Sequence, residues 1–212
     1  MYVSELWRYP VKSLRGVRLD VAEVTLDGIA CDRQIVVVSE SRQRVITART
    51  HYRLLGLQGS LGSDRAVLVN GVPWDSPEAR QMVSEAACEP VRLVETSSPQ
   101  RFDILPLLVT TDGAVKAMGV DGRRFRPNIV IGAVDGLTER EWPGKRLVIG
   151  EVEIDMRQLR DRCVMTTYDP DSLEQDVKVL KKIVREREGH FGLDSAVIKS
   201  GVIREGDEVR VL

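Results

Sequence analysis

The chain predicts a mainly β protein with a few helices, an α+β fold whose sheets close into barrel-like units. Three observations predict this. Short alternating or continuous apolar runs recur from Val3 to Val211, separated by turn residues. Only three stretches carry a helical signal. Strands and helices do not alternate as βαβ units, which disfavours a doubly wound parallel sheet.

The elements follow in order. Val3–Trp7 alternates as a strand, and so does 17–24, apolar on odd positions until Ala22 and Val24 blur the phase. Ile35–Val38 is a continuous apolar run, as for a strand covered on both faces. Ala66–Val69, Asn70-Gly71 and Val72–Trp74 read as a hairpin. Ser76 and Pro77 open a helix with Ala79, Met82, Val83 and Ala86 on one face, and Pro90 ends it. Val91–Val94 is the next strand. Glu95 to Asp103 is polar and contains Ser-Ser-Pro, which places a lobe boundary there. Beyond it come a strand at Leu107–Val109, a short helix from Thr111 to Met118, and strands at 128–131, 146–149 and 152–154. Ser172 to Glu188 is the clearest helix, with Ser172 and Gln175 as a capping pair and Leu173, Val177, Leu180 and Val184 on one face. Residues 196–211 read as a terminal hairpin.

Composition bounds the function. The 212 residues carry a net charge of −1, so no global field draws nucleic acid or an anionic membrane. No apolar run reaches the roughly 20 residues that span a bilayer. Cys31, Cys88 and Cys163 form no CxxC, and the two histidines, His51 and His190, cannot make a multi-histidine metal site. An odd cysteine count with no signal peptide suggests a cytoplasmic setting.

Cys163 is the cysteine set in strongly charged surroundings, between Arg160, Arg162 and the hydroxyls of Thr166 and Thr167. Nearby cations favour the thiolate, the form that ligates soft metals or attacks electrophiles. A buried structural cysteine is the alternative. Four loops carry basic or hydroxyl groups suited to an anion: Lys12-Ser13 after the first strand, Asp32-Arg33, Thr47-Ala48-Arg49, and Arg126-Pro127-Asn128. Each also reads as an ordinary solvated turn or a structural ion pair. Pro127 biases Arg126 toward an extended backbone, which would put Arg126 and Asn128 on one strand face. Walker A and GxGxxG loops are absent, so a phosphate site must be assembled from side chains.

Tyr9-Pro10-Val11-Lys12-Ser13, Asp32-Arg33, Thr47-Ala48-Arg49, Phe125-Arg126-Pro127-Asn128-Ile129 and Arg162 to Asp171 occur in this order. With them the chain resembles the MOSC-domain family, named for the C-terminal domain of molybdenum cofactor sulfurases, with its N-terminal β-barrel partner. It looks most like the branch of the mitochondrial amidoxime-reducing component and its bacterial relatives. The likeness runs through His190-Phe191-Gly192 to the Gly206-Asp207 turn. It implies an N-terminal MOSC-type β-barrel lobe over 1–95 and a MOSC domain over 96–212, with a molybdenum–pterin cofactor (molybdopterin) in the cleft between them. Cys163 matches the metal ligand and catalytic cysteine. Lys12, Ser13, Arg33, Arg126 and Asn128 match cofactor contacts. Thr111 falls where that branch uses a hydroxyl or helix N-terminus, and Thr47 and Arg49 match a neighbouring motif, Arg49 as a cofactor contact. Tyr168 and Asp161 depart from the pattern, where valine and serine are usual. No aminotransferase-like domain is present, so pyridoxal phosphate is not expected.

The resemblance implies a molybdenum-dependent oxidoreductase that removes oxygen from N-hydroxylated or other N-oxygenated small molecules. Electrons would come from a separate ferredoxin- or cytochrome-type protein, because the chain shows no haem, flavin or iron–sulfur motif. Two alternatives stay open. One is a cofactor carrier or sulfur-delivery module without turnover. The other is a β-barrel binding module for a different phosphate ligand.

Overall fold

A computed structural model describes residues 1–96 and 101–212. Among the described residues strands dominate and three α-helices accompany them, as the periodicities predict. The largest sheet has eight strands. In spatial order they are β17 (Val209–Val211), β13 (Arg146–Ile149), β14 (Val152–Asp161), β15 (His190–Lys199), β11 (Leu107–Thr111), β12 (Ile129–Gly132), β1 (Tyr2–Arg8) and β2 (Val17–Leu19). The sheet curls until its ends approach. A bridge joins Tyr2 to Glu208, and the Val3 N–H donates to the Asp207 carbonyl at 2.9 Å. No continuous ladder runs along that seam among the described residues, so the sheet is barrel-like but not a closed barrel.

Three small sheets complete the β structure. β5 (Ile35–Ser39) lies between β10 (Val91–Glu95) and β6 (Arg44–Ile46). All five of its residues are buried, as expected of a continuous apolar run. β7 (Gly59–Leu61), β8 (Val67–Val69) and β9 (Val72–Pro73) form a meander. Asn70 and Gly71 both take positive φ at its expected turn, the requirement of a two-residue hairpin loop. β3 (Val21–Thr25) pairs with β4 (Gly28–Ile29) and with β16 (Gly201–Arg204).

Several expectations change. The single strand read over 17–24 breaks at Asp20: β2 pairs with β1, while β3 pairs with β16. The blurred alternation at Ala22 and Val24 marks this change of sheet, since both are buried while Val21 is exposed. The terminal hairpin does not form, because β16 joins β3 and β17 joins β13. One βαβ unit is present: β11 and β12 run parallel, joined through α2 (Asp112–Met118).

The helices α1 (Pro77–Ala87) and α3 (Val177–Arg187) stand where expected, with differences at α3. The Ser76 hydroxyl accepts from the Ala79 N–H and caps α1. α3 starts at Val177, not Ser172, because Asp169 Oδ1 accepts from the N–H groups of Asp171 and Ser172, both at 3.0 Å, and closes a turn there. Its inner face is Val179, Ile183 and Arg187, whereas Val177 and Val184 face outward.

Packing cuts across the chain's midpoint. One core joins Val3, Leu6, Ala22, Val24 and Ile29 to Ile129, Leu147 and Ile154 of the large sheet. A second has its buried members within 11–91, around Leu14, Val37, Leu54 and Val83, with Met165, Tyr168 and Leu173 packed against it. A third joins α2 and α3 through Phe125 and Phe191, stacked 3.8 Å apart. The expected lobe boundary falls partly on 97–100, outside the described residues. Among the described residues no helix is long and apolar enough to cross a membrane.

Candidate functional site

A cleft gathers side chains from all the loops singled out by sequence. Lys12, Ser13, Arg33, Thr47 and Arg49 reach it from the first half, and Arg126, Asn128 and Cys163 from the second. Seven cationic side chains and three carboxylates line it, so the cleft is positive although the chain is not.

Its floor is a buried polar frame around Asp32, which is fully buried. Asp32 accepts from the Tyr9 N–H at 2.6 Å, from the Arg33 guanidinium and from Asn128 Nδ2 at 3.2 Å. Asn128 also donates to the Trp7 carbonyl at 3.3 Å and accepts from Arg33 at 3.2 Å and the Leu108 N–H at 3.1 Å. Its amide is therefore committed to the frame, tying β1, β11 and the Arg33 loop together. Arg33 is thus both a structural ion-pair partner and a cation held at the cleft.

Three cleft residues hold left-handed backbone. Ser13, Arg33 and Arg126 have φ of 74°, 51° and 56°. Non-glycine residues in this region cost free energy and are retained where the surroundings fix them, often at binding sites. The extended backbone expected at Arg126 is therefore corrected. Arg126 ends a 3-10 turn over Gly122–Phe125 in left-handed conformation, and β12 starts at Ile129. Its guanidinium lies 4.3 Å from the centroid of the Tyr9 ring, with Arg33 at 4.9 Å. Gly16 lets that ring approach, since a Cβ there would meet ring carbons at 2.5 and 2.8 Å.

Electrostatics set these groups apart. Burial, partly offset by Tyr9, pushes Arg126 down to about 10. Burial and then repulsion from Arg160 push Arg162 to about 10, and Arg162 donates to the Phe125 carbonyl at 2.7 Å. Both remain cations at neutral pH. Asp103 receives Lys12 at 3.0 Å, Arg49 at 2.5 Å and Arg160 at 3.4 Å. Burial opposes its charge, but Lys12 and the arginines hold its carboxyl below the usual range. Arg160 is anchored from behind by the buried Asp194 at 2.5 Å.

Cys163 is half-buried at the start of the 3-10 turn Val164–Thr167. The Thr166 hydroxyl donates to the Cys163 carbonyl at 2.9 Å and the Thr167 hydroxyl to that of Val164 at 2.7 Å, so both threonines shape the turn. Burial works against the charge of Arg49, but Asp103 and the Cys163 thiol beside it hold its pKa above the ordinary value. Charge alone does not single out Cys163, contrary to the sequence reading. Arg53 reaches Cys88 at 3.6 Å and Arg65 reaches Cys31 at 3.9 Å. Cys163 differs in lining the cleft.

Thr111 stands apart. It begins α2 as expected, yet it does not line the cleft. Its hydroxyl accepts from the Ala114 N–H and donates to the buried Glu139, both at 3.1 Å. Thr111→Val is therefore expected to lower stability by about 0.5–2 kcal/mol, the range for a lost cap, without changing ligand content. Paired urea unfolding and metal analysis check this.

Sequence reasoning passed over Arg101, Asp103, Arg160, Arg162 and Asp194 as site residues. Asp194 did carry a signal, as a lone acid inside an apolar run. The two departures from the family pattern are both occupied. Tyr168 stacks on Tyr52 with centroids 4.6 Å apart, and the exposed Asp161 meets His190 Nε2 at 3.1 Å.

A metal–pterin group fits this cleft chemically. Among the described residues no cluster of three or more His, Cys, Asp or Glu could hold a metal alone. A metal at Cys163 would have to bring its other ligands with it. Arg101 Nε, Arg162 Nε and Asp194 Oδ2 are buried at the cleft without protein partners, which leaves donors and an acceptor for a polar ligand.

Comparison with known proteins agrees with the architecture. Residues 1–101 match the MOSC N-terminal beta barrel domain and 108–210 the MOSC domain. Mitochondrial amidoxime reducing component 2 of Homo sapiens is 29% identical over 280 residues, covering 98% of this chain and 82% of that protein. The component 1 protein of Homo sapiens is 25% identical, covering 99% and 82%. The YUAD protein from Bacillus subtilis shares the fold, with TM-score 0.53 at 14% identity over 99% of this chain and 94% of that one. With the two domain models following one another along almost its whole length, the chain belongs to the MOSC family.

Proposed function

We propose that the chain binds a molybdenum–pterin cofactor in the cleft and reduces N-hydroxylated or other N-oxygenated small molecules. One observation carries the reading: Cys163, the one thiol lining the cleft among the described residues, shares a strongly cationic cleft with the family's other motif residues. MOSC domains are associated with the molybdenum cofactor, and the relatives named above are amidoxime reducing components.

When bound, the cofactor supplies two-electron oxygen-atom chemistry, while the protein supplies position and electrostatics. Cys163 would ligate the metal through its thiolate. Lys12, Arg49 and Arg160 would hold the anionic end, with Asp103 exchanging one partner for another. Arg33 and Arg126, fixed against Tyr9, would frame the ring system, and Asp32 and Asn128 act through Arg33 as positioning residues. Removing oxygen from an N–OH group consumes two electrons and two protons and releases water. The electrons would come from a separate donor protein.

The test is molybdenum analysis of protein made in a cofactor-producing host, with turnover of a simple N-hydroxy compound by reduced methyl viologen. Molybdenum near one per chain with turnover is expected. Full loading without turnover would assign the chain to cofactor carriage, and no molybdenum would remove the reading. Arg126→Ala is expected to weaken cofactor retention about 10- to 100-fold, the loss of one charge-assisted contact. Arg185→Ala, on the outer side of α3, should retain wild-type content. Equal loss in both variants would remove Arg126 from the site.

A further inference from the structure

α3 carries apolar side chains on two sides, and only one side is buried. Val179, Ile183 and Arg187 pack inward. Val177 and Val184 point outward and are 48% and 58% exposed. With Leu180 they line a groove whose other wall is Val164 and Thr167. Val164 directly follows Cys163, and adjacent Cα atoms lie about 3.8 Å apart. The groove therefore begins one residue from the proposed metal ligand.

The groove's charge is one-sided. Lys178, Lys181, Lys182 and Arg185 line it, and no carboxylate does. They fall at i, i+3, i+4 and i+7, a continuous stripe beside the apolar one. Lys182 donates to the carbonyls of Ala117 at 2.9 Å and Met118 at 3.3 Å, which pins α3 to the end of α2. Arg185 meets Glu186 at 2.5 Å. Lys178 and Lys181 are exposed and project the field. In a chain of net charge −1 this is a local concentration of positive charge.

We propose that this face of α3 docks the electron-donor protein, and that the donor is acidic around a small apolar centre. The inference rests on the reductase reading. Charge complementarity selects an acidic partner and speeds its encounter. Apolar contacts at Val177, Leu180 and Val184 seat it against the turn that follows Cys163. An anionic membrane would also attract lysines. The concave shape and the absence of large aromatic anchors favour a protein.

The experiment measures binding of an acidic plant-type [2Fe–2S] ferredoxin to the full chain by calorimetry at low salt, with a basic cytochrome c and anionic phosphatidylserine vesicles as comparisons. Wild type is expected to bind ferredoxin and neither comparison. Lys178→Glu with Lys181→Glu should weaken ferredoxin binding at least about tenfold, as loss of charge complementarity does. Arg210→Glu, on β17, should leave it unchanged. Unchanged unfolding midpoints exclude misfolding, and Val184→Ser, expected to weaken binding with no change in charge, tests the apolar centre separately. No ferredoxin binding by wild type, equal binding by the lysine variant, or binding to vesicles instead would overturn the proposal. Viologen-driven turnover by wild type tests the reductase reading by itself, so the two can fail independently.

Discussion

Cys163→Ala is expected to lose molybdenum and turnover together while the unfolding midpoint stays near that of wild type. The sulfur is half-buried, and no hydrogen bond that positions the turn uses it; Thr166 and Thr167 bond to backbone carbonyls instead. Removing it takes no partner from the hydrogen bonds that shape the turn, and Arg49 keeps Asp103. Changes one layer outside a metal commonly cost about 10- to 100-fold in affinity or activity, and loss of the ligand itself should exceed that. Cys31→Ala and Cys88→Ala should keep both metal and turnover, although each thiol also lies near an arginine. A Cys163→Ala protein with wild-type metal content and rate would remove this residue from the site.

Asp32→Ala is expected to produce the largest loss of stability. Asp32 is fully buried and receives the Tyr9 N–H, the Arg33 guanidinium and the Asn128 amide. Alanine would leave a buried N–H without an acceptor and Arg33, whose side chain is only 15% exposed, without its counter-charge. Breaking such a pair from one side costs about 3–5 kcal/mol. Against a typical total of about 5–15 kcal/mol, that is a large share. Asp32→Asn keeps an acceptor for Tyr9 and should cost less. Urea unfolding of both variants measures the order, and a loss under about 1 kcal/mol in the alanine variant, within the ordinary range for one neutral hydrogen bond, would show the frame to be dispensable.

Local chemistry was legible in the sequence where one segment decides it. Ser76-Pro77 capped α1, Asn70-Gly71 turned β8 into β9, and the apolar run at β5 was buried on both faces. Long-range partners were not legible. The alternation over 17–24 faltered because Asp20 is where the chain changes sheets. The tail looked like a hairpin because two short strands separated by a turn read alike whether they pair with each other or elsewhere. The buried side of α3 was not legible because valines lie on both sides, and only the contacts with Phe125 and Phe191 choose the side of Val179 and Ile183. In the cleft, residues on loops with a sequence motif were found. Asp103, Arg160 and Asp194 were missed because their roles come from meeting one another across the fold.

The placement of β1 and β3 governs the order in which this protein can be made. Ser4 bonds the carbonyl of Val130, 126 positions onward, and β3 finds β16 only near the end of the chain. While the polypeptide is emerging from a ribosome, β1 has only β2 and β3 only β4 to join, and the other edge of each stays open. The core around Leu54 and Val83 can settle first, because all its buried members are already out. The Asp32 frame must wait for Asn128, and β3 must wait for Gly201. Such distant pairings fold slowly and leave unpaired edges exposed in the meantime. A chain cut short before β16 would carry those edges permanently, so quality control by proteolysis should remove incomplete copies before they could hold a reactive metal.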